Sequence, residues 1–79
     1  MARIIEYQTQ NIVGNTVKKF RLEKHLSQQE LSARLETYAV YICRGSISRI
    51  EKRDRTVTDF ELKAISQALD VKIADLFEG

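Results

Sequence analysis

Seventy-nine residues leave room for one small domain, and 43% hydrophobic with 30% charged residues are the proportions of an ordinary soluble globule. A single cysteine, Cys43, excludes an intrachain disulfide, and with His25 the only histidine a structural zinc site is not expected. No apolar run approaches the roughly 18 residues of a membrane span and no signal-peptide core is visible, so a cytoplasmic protein is expected, without membrane, cofactor or metal.

Residues 1–10 read as an N-terminal arm and 11–79 as the folded domain. Ile4, Ile5 and Tyr7 leave the arm's course open: extended, docked on the body, or loose. There is no proline, and glycine stands only at 14, 45 and 79, so caps must punctuate the helices. Val13, Val17, Phe20 and Lys24 recur at helical spacing and predict a first helix from near Asn11 to near His25, a residue that tolerates a left-handed turn. Ser27-Gln-Gln-Glu30 is a capping box: the hydroxyl takes a free backbone N–H and the carboxylate reaches back to the cap. It opens a second helix that buries Leu31 and Leu35. Ile47 and Ile50, three apart, mark a third. Thr58-Asp-Phe-Glu61 repeats the box and opens a fourth, carrying Phe60, Ile65 and Leu69 with Leu62 and Ala68 beside them. A short fifth spans about residues 73–77. The fold class expected is all-α, a compact five-helix domain.

The net charge is only +2, but its distribution is uneven. Between Arg44 and Arg55, the residues Arg44, Arg49, Lys52, Arg53 and Arg55 stand against Glu51 and Asp54, an excess of +3, while the rest of the chain sums to −1. Charge gathered on one element is the footprint of a nucleic-acid binder. A solvated helix face is the plainer reading.

Taken in order, "LSQQELSARL", "SISRIEKR", "VTDFELKAISQALDV" and "ADLF" resemble the lambda-repressor-like (Cro/repressor, XRE-type) helix-turn-helix family, and "NIVGNTVKKFRLEKHLSQQEL" is similar to its first helix and approach. The resemblance covers residues 11–78. It implies a five-helix bundle whose second and third helices form the motif, with the third in the major groove of double-stranded DNA. One departure stands out. Leu35 and Ile47 are twelve apart, a longer connection than the commonest pattern, and the extra residues lie in "ETYAVYICRG". A variant group in the family is similar in this spacing and in "VTDFEL". Either a longer second helix or a longer turn accommodates the insert, with Tyr38, Val40 and Ile42 folding back on the core. A hairpin touching DNA through Tyr38 or Tyr41 is the alternative.

By the resemblance, Arg44, Gly45, Ser48 and Arg49 occupy positions that face base edges. The arginines are the chemically able ones, since a guanidinium fork can bond both O6 and N7 of guanine. Gly45 either lets the backbone come close or merely weakens the helix. Phosphate contacts are expected from Gln28 at the start of the second helix, where free N–H groups and the helix dipole favour anions. Ser46, Lys52, Arg53 and Arg55 complete that set. Gln28 and Gln29 read equally well as surface helix formers. The family pairs an arginine late in the first helix with a glutamate late in the third, which carries over to Arg21 and Glu51 as a structural ion pair. Cys43 falls at the N-cap of the third helix, as a small, partly buried thiol or, alternatively, a redox-sensitive one.

The implied function is a sequence-specific transcriptional regulator, expected to be a repressor. It is expected to act as a homodimer through Ile73, Leu76 and Phe77, with residues 1–10 the rival surface. An antitoxin-like protein-docking module using the same fold is the alternative. No nucleophile–base pair, phosphate loop or metal cluster suggests an enzyme, and no sensor domain or small-molecule site is expected.

Overall fold

The computed structural model describes residues 9–78, so residues 1–8 of the expected arm lie outside the described residues. Five helices follow in order: α1 (Gly14–Glu23), α2 (Gln28–Glu36), α3 (Arg44–Glu51), α4 (Asp59–Leu69) and α5 (Ile73–Leu76). Among the described residues there is no strand, and the all-α expectation holds.

Helices α1, α2 and α4 start where side chains can take up their free N–H groups. In α2, Ser27 Oγ accepts from the Glu30 N–H at 3.0 Å and Glu30 Oε1 accepts from the Ser27 N–H at 2.8 Å. Thr58 and Glu61 do the same for α4 at 3.2 and 3.0 Å. The first helix begins at Gly14, not near Asn11. Asn11 instead caps it from outside, its Oδ1 accepting from the N–H groups of Val13 and Gly14.

All four longer helices end alike, and none ends in glycine. His25, Ala39, Arg53 and Asp70 sit in the left-handed region at φ 58°, 62°, 64° and 57°. The next residue then donates back five positions: Leu26 to Arg21, Val40 to Leu35, Asp54 to Arg49, Val71 to Ser66. This is the Schellman turn. In three of them the donor is also apolar and packs inward: Leu26 is buried, and Val40 and Val71 lie against the core.

Val17 of α1, Leu31 and Leu35 of α2, Ile47 and Ile50 of α3, Ile65 and Leu69 of α4 and Leu76 of α5 meet in one core, each at most 1% exposed. Burial of such a side chain is worth about 1.5–3 kcal/mol. Three expected core positions are not in it. Lys24 lies past the end of α1 and is exposed. Phe60 is 80% exposed, because α4 packs through Ala64, Ile65, Ala68 and Leu69, and Phe60 in its first turn lies off that side. Tyr38 remains exposed, lying against the end of α4 with its hydroxyl 3.4 Å from the Gln67 carbonyl.

The long α2–α3 connection is a longer turn, not a longer helix. Residues 37–39 turn through Ala39, and 40–43 run without regular structure into α3, with Cys43 extended. Ser32 Oγ donates to the Ile42 carbonyl at 2.7 Å, and Ile42 is buried. Arg34 also donates to the Ala68 carbonyl, at 3.2 Å. The insert is therefore pinned to α2 through Ile42 and touches α4 through Tyr38, and it delivers the chain to α3 in a set direction.

Candidate nucleic-acid interface

Helix α3 is held from three sides. Ile47 and Ile50 anchor it in the core. Next to them Glu51 is buried, and a buried carboxylate needs a partner. Arg21 of α1 supplies one: Nε to Oε2 at 2.6 Å and Nη2 to Oε1 at 3.1 Å, with side chains 8% and 4% exposed. The remaining guanidinium nitrogen, Nη1, donates to the Leu26 carbonyl at 2.7 Å. Gln28 Nε2 adds a donation to Glu51 Oε1 at 2.9 Å. The start of α2, the end of α1 and the end of α3 are thus tied at one point.

A third brace was not foreseen from the sequence. Asn11 Nδ2 donates to the Ile50 carbonyl at 3.1 Å and to the Arg55 carbonyl at 2.7 Å. Gln10 N–H donates to the Arg53 carbonyl at 2.8 Å. Gly14 lies so close that a Cβ there would run into the Ile50 carbonyl oxygen. The spacing Asn-x-x-Gly at a helix start signals the local cap, but not the partners contributed by residues about forty positions away.

With one side fixed, a helix of 3.6 residues per turn must offer the opposite side to solvent. On α3 that side carries Gly45, Ser48, Arg49 and Lys52, with Arg44 at its edge. Arg44, Gly45, Arg49 and Lys52 are exposed and Ser48 is half-buried. Among the described residues, Arg44, Arg49, Lys52 and Arg53 form no salt bridge. Arg53, just past the helix, is half-buried.

Other expected site residues are placed differently. Arg55 makes a two-pronged pair with Glu61, Nη1 to Oε1 and Nη2 to Oε2, both 3.0 Å. The hydrogen bond raises the Arg55 pKa and lowers that of Glu61. Its charge is largely balanced within the fold. Gln28 is half-buried against Glu51 rather than free at the rim of α2. Ser46 is half-buried, and its Oγ lies 3.5 Å from Cys43 Sγ. Cys43 itself is exposed rather than partly buried, because the 40–43 segment points Ile42 inward and its neighbour outward. The Ser46 hydroxyl and nearby N–H groups hold the thiol below its ordinary pKa. Cys43 gives α3 no side-chain cap bond. Tyr41, just before it, is 77% exposed.

No helix among the described residues is long and apolar enough to cross a membrane, and no group of residues that could hold a metal ion occurs among them.

A small helical bundle that fixes one helix by its apolar side and turns a basic side outward, behind a capped partner helix, is a DNA-binding domain of the helix-turn-helix class. The chain belongs to the Helix-turn-helix family, whose model matches residues 17–76. It is accordingly a DNA-binding transcription regulator of the XRE type. Among solved structures it is similar to the restriction-modification controller protein C.AhdI from Aeromonas hydrophila, with a TM-score of 0.73 and 25% identity, over 82% of this chain and 91% of that one. No curated protein matches it.

Proposed function

We propose that the protein is a sequence-specific repressor that binds double-stranded DNA as a homodimer, laying α3 in the major groove. The observation that carries this is the outward face of α3, where Arg49 and Lys52 surround Ser48 and Gly45, Arg44 stands at the edge, and no acid among the described residues forms a salt bridge with them. Arg44 and Arg49 are the readers, and Ser48 is a short secondary contact. Lys52 and Arg53, at the C-cap of α3 and just beyond it, are the phosphate clamps, which orient without reading sequence. Gln28 and Ser46 remain within reach as weaker clamps, and Arg55 joins them only if it leaves Glu61. Repression follows from occupancy: a domain seated in promoter DNA excludes polymerase from the same groove. The likeness to C.AhdI, a restriction-modification controller, supports a regulatory role.

Salt titrations on a preferred site, found by selection from random DNA, and on scrambled DNA test this reading. Arg49→Ala is expected to lose about 1–3 kcal/mol on the preferred site and to relax the choice of one base pair, a guanine. Arg53→Ala is expected to weaken both DNAs alike and to lower the salt slope by about one unit. Equal weakening of both DNAs by Arg49→Ala would make Arg49 a clamp and remove α3 from the groove floor.

Exposed Phe60 and Tyr38, which share a shallow groove with Val40 and Lys63 along α4, favour the second reading, an antitoxin-like protein-docking module. Binding to DNA that ignores both sequence and salt would favour that reading.

A further inference from the structure

Glycine weakens a helix unless something requires it. Two requirements are common: a left-handed φ, or a neighbour too close for a Cβ. No glycine among the described residues has a positive φ. Gly14 meets the second requirement through the Ile50 carbonyl. Gly45 meets neither: it is helical, and a Cβ built on it would find nothing within 4 Å among the described residues. Within the folded chain, alanine would serve better at this position.

The position is also particular. Gly45 sits in the first turn of α3, on the side opposite Ile47 and Ile50, one turn ahead of Arg49 and next to Arg44. It therefore occupies the middle of the outward basic face. Cys43 makes no side-chain cap hydrogen bond at this helix start. A gap in the side-chain layer at this point, with exposed Arg44 and Arg49 nearby, leaves room for another surface to approach the backbone itself.

We infer that Gly45 is a specificity-determining residue: the bound duplex comes to van der Waals distance of the α3 backbone there, and any side chain holds the two arginines away from the bases. This rests on the proposed DNA-binding role and adds to it the point of closest approach. A shorter distance at Gly45 lets Arg44 and Arg49 span the groove floor with their forks aligned. A methyl group at that point tilts or lifts the helix, and bidentate geometry tolerates little of either.

The test is Gly45→Ala in the full chain, compared with wild type by thermal melting and by titration on the preferred and scrambled duplexes. The expected result is a melting temperature raised by roughly 2–5 °C, since alanine is the better helix former and meets no obstacle. With it should come at least a tenfold loss of affinity for the preferred site and a smaller loss on scrambled DNA. A variant that is more stable and yet weaker in specific binding cannot be explained by damage to the fold. Preferred-site affinity within twofold of wild type overturns the inference while leaving the DNA-binding reading intact. Failure of the wild-type protein to bind any duplex overturns both.

Discussion

Arg21 and Glu51 are the charged side chains most withdrawn from water among the described residues. Their value lies less in attraction than in the cost of separating them. The pair has already lost its hydration, and its net worth against two apolar residues can be small. Removing one partner leaves the other charge buried without a match, which costs about 3–5 kcal/mol. Arg21→Ala and Glu51→Ala are each expected to shift denaturant unfolding strongly. The double variant should lose less than the sum, because neither charge is then stranded. Additive losses would show that the two do not cooperate. Gln28→Ala, which removes one neutral donor from Glu51, is expected to cost about 1 kcal/mol.

The helix ends are a second place where stability was set aside. A non-glycine residue in the left-handed region costs about 1–2 kcal/mol, and four helices here end on one. Ala39 is the cleanest to test, since it is exposed and has no side chain to lose beyond a methyl group. Ala39→Gly is expected to stabilise the fold by about 0.5–1 kcal/mol, with part of the gain offset by the greater freedom of glycine in the unfolded chain. A lower unfolding midpoint would mean that the turn does not depend on that φ. At the start of α4, Glu61 serves both the Thr58 cap and Arg55. The Arg55 hydrogen bond holds its pKa below the ordinary glutamate value. A carboxyl with a depressed folded pKa adds stability that is fully present above its unfolded pKa of about 4.3 and lost as pH falls through the folded one. Acidification below about pH 4.3 should therefore destabilise the protein, and Glu61→Gln should flatten that limb while lowering stability at pH 7. A residual slope is expected from Glu30, whose pKa is likewise lowered by its bonds to Ser27. An unchanged limb in Glu61→Gln would assign the acid sensitivity elsewhere.

At the scale of the whole molecule, one copy offers a short helix to DNA, and a single module of this kind buries only about 600–1,000 Å² there. Two copies on adjacent half-sites would multiply that contact. Leu76, expected from the sequence to face a partner copy, is fully buried and belongs to the monomer's own core. Ile73, Phe77 and Ile12 remain, 41%, 48% and 67% exposed. Ile12 and Phe77 border one apolar groove with Val57 and Leu62. Phe77→Glu is expected to leave the fold intact, since Leu76 still anchors α5, and to shift the protein toward monomer in light scattering. It should also weaken binding to a palindromic site at least tenfold. Full affinity with one copy per site would rule out the dimer.

Much of this was legible along the chain because it rests on short-range physics. Two capping boxes placed the starts of α2 and α4, the spacing of Ile47 and Ile50 placed α3, and His25 marked the end of α1. The basic run gave away the outward face, since a helix with one apolar stripe has only one other side to show. Tertiary structure alone decided the rest. Phe60 had the composition of a core residue and the phase of a surface one, which only the packing of α4 could separate. Leu76 and Phe77 are neighbours with opposite fates because α5 is a single turn pressed against α1 and α4. Arg55 and Arg53 look alike in sequence, yet one is paired to Glu61 and the other is not. Gly14 and Gly45 are the same residue, but the Ile50 carbonyl fills the space beside the first, and nothing among the described residues fills the space beside the second. Local bonding depends on neighbours a few residues away, and these outcomes depend on atoms brought together from distant parts of the chain.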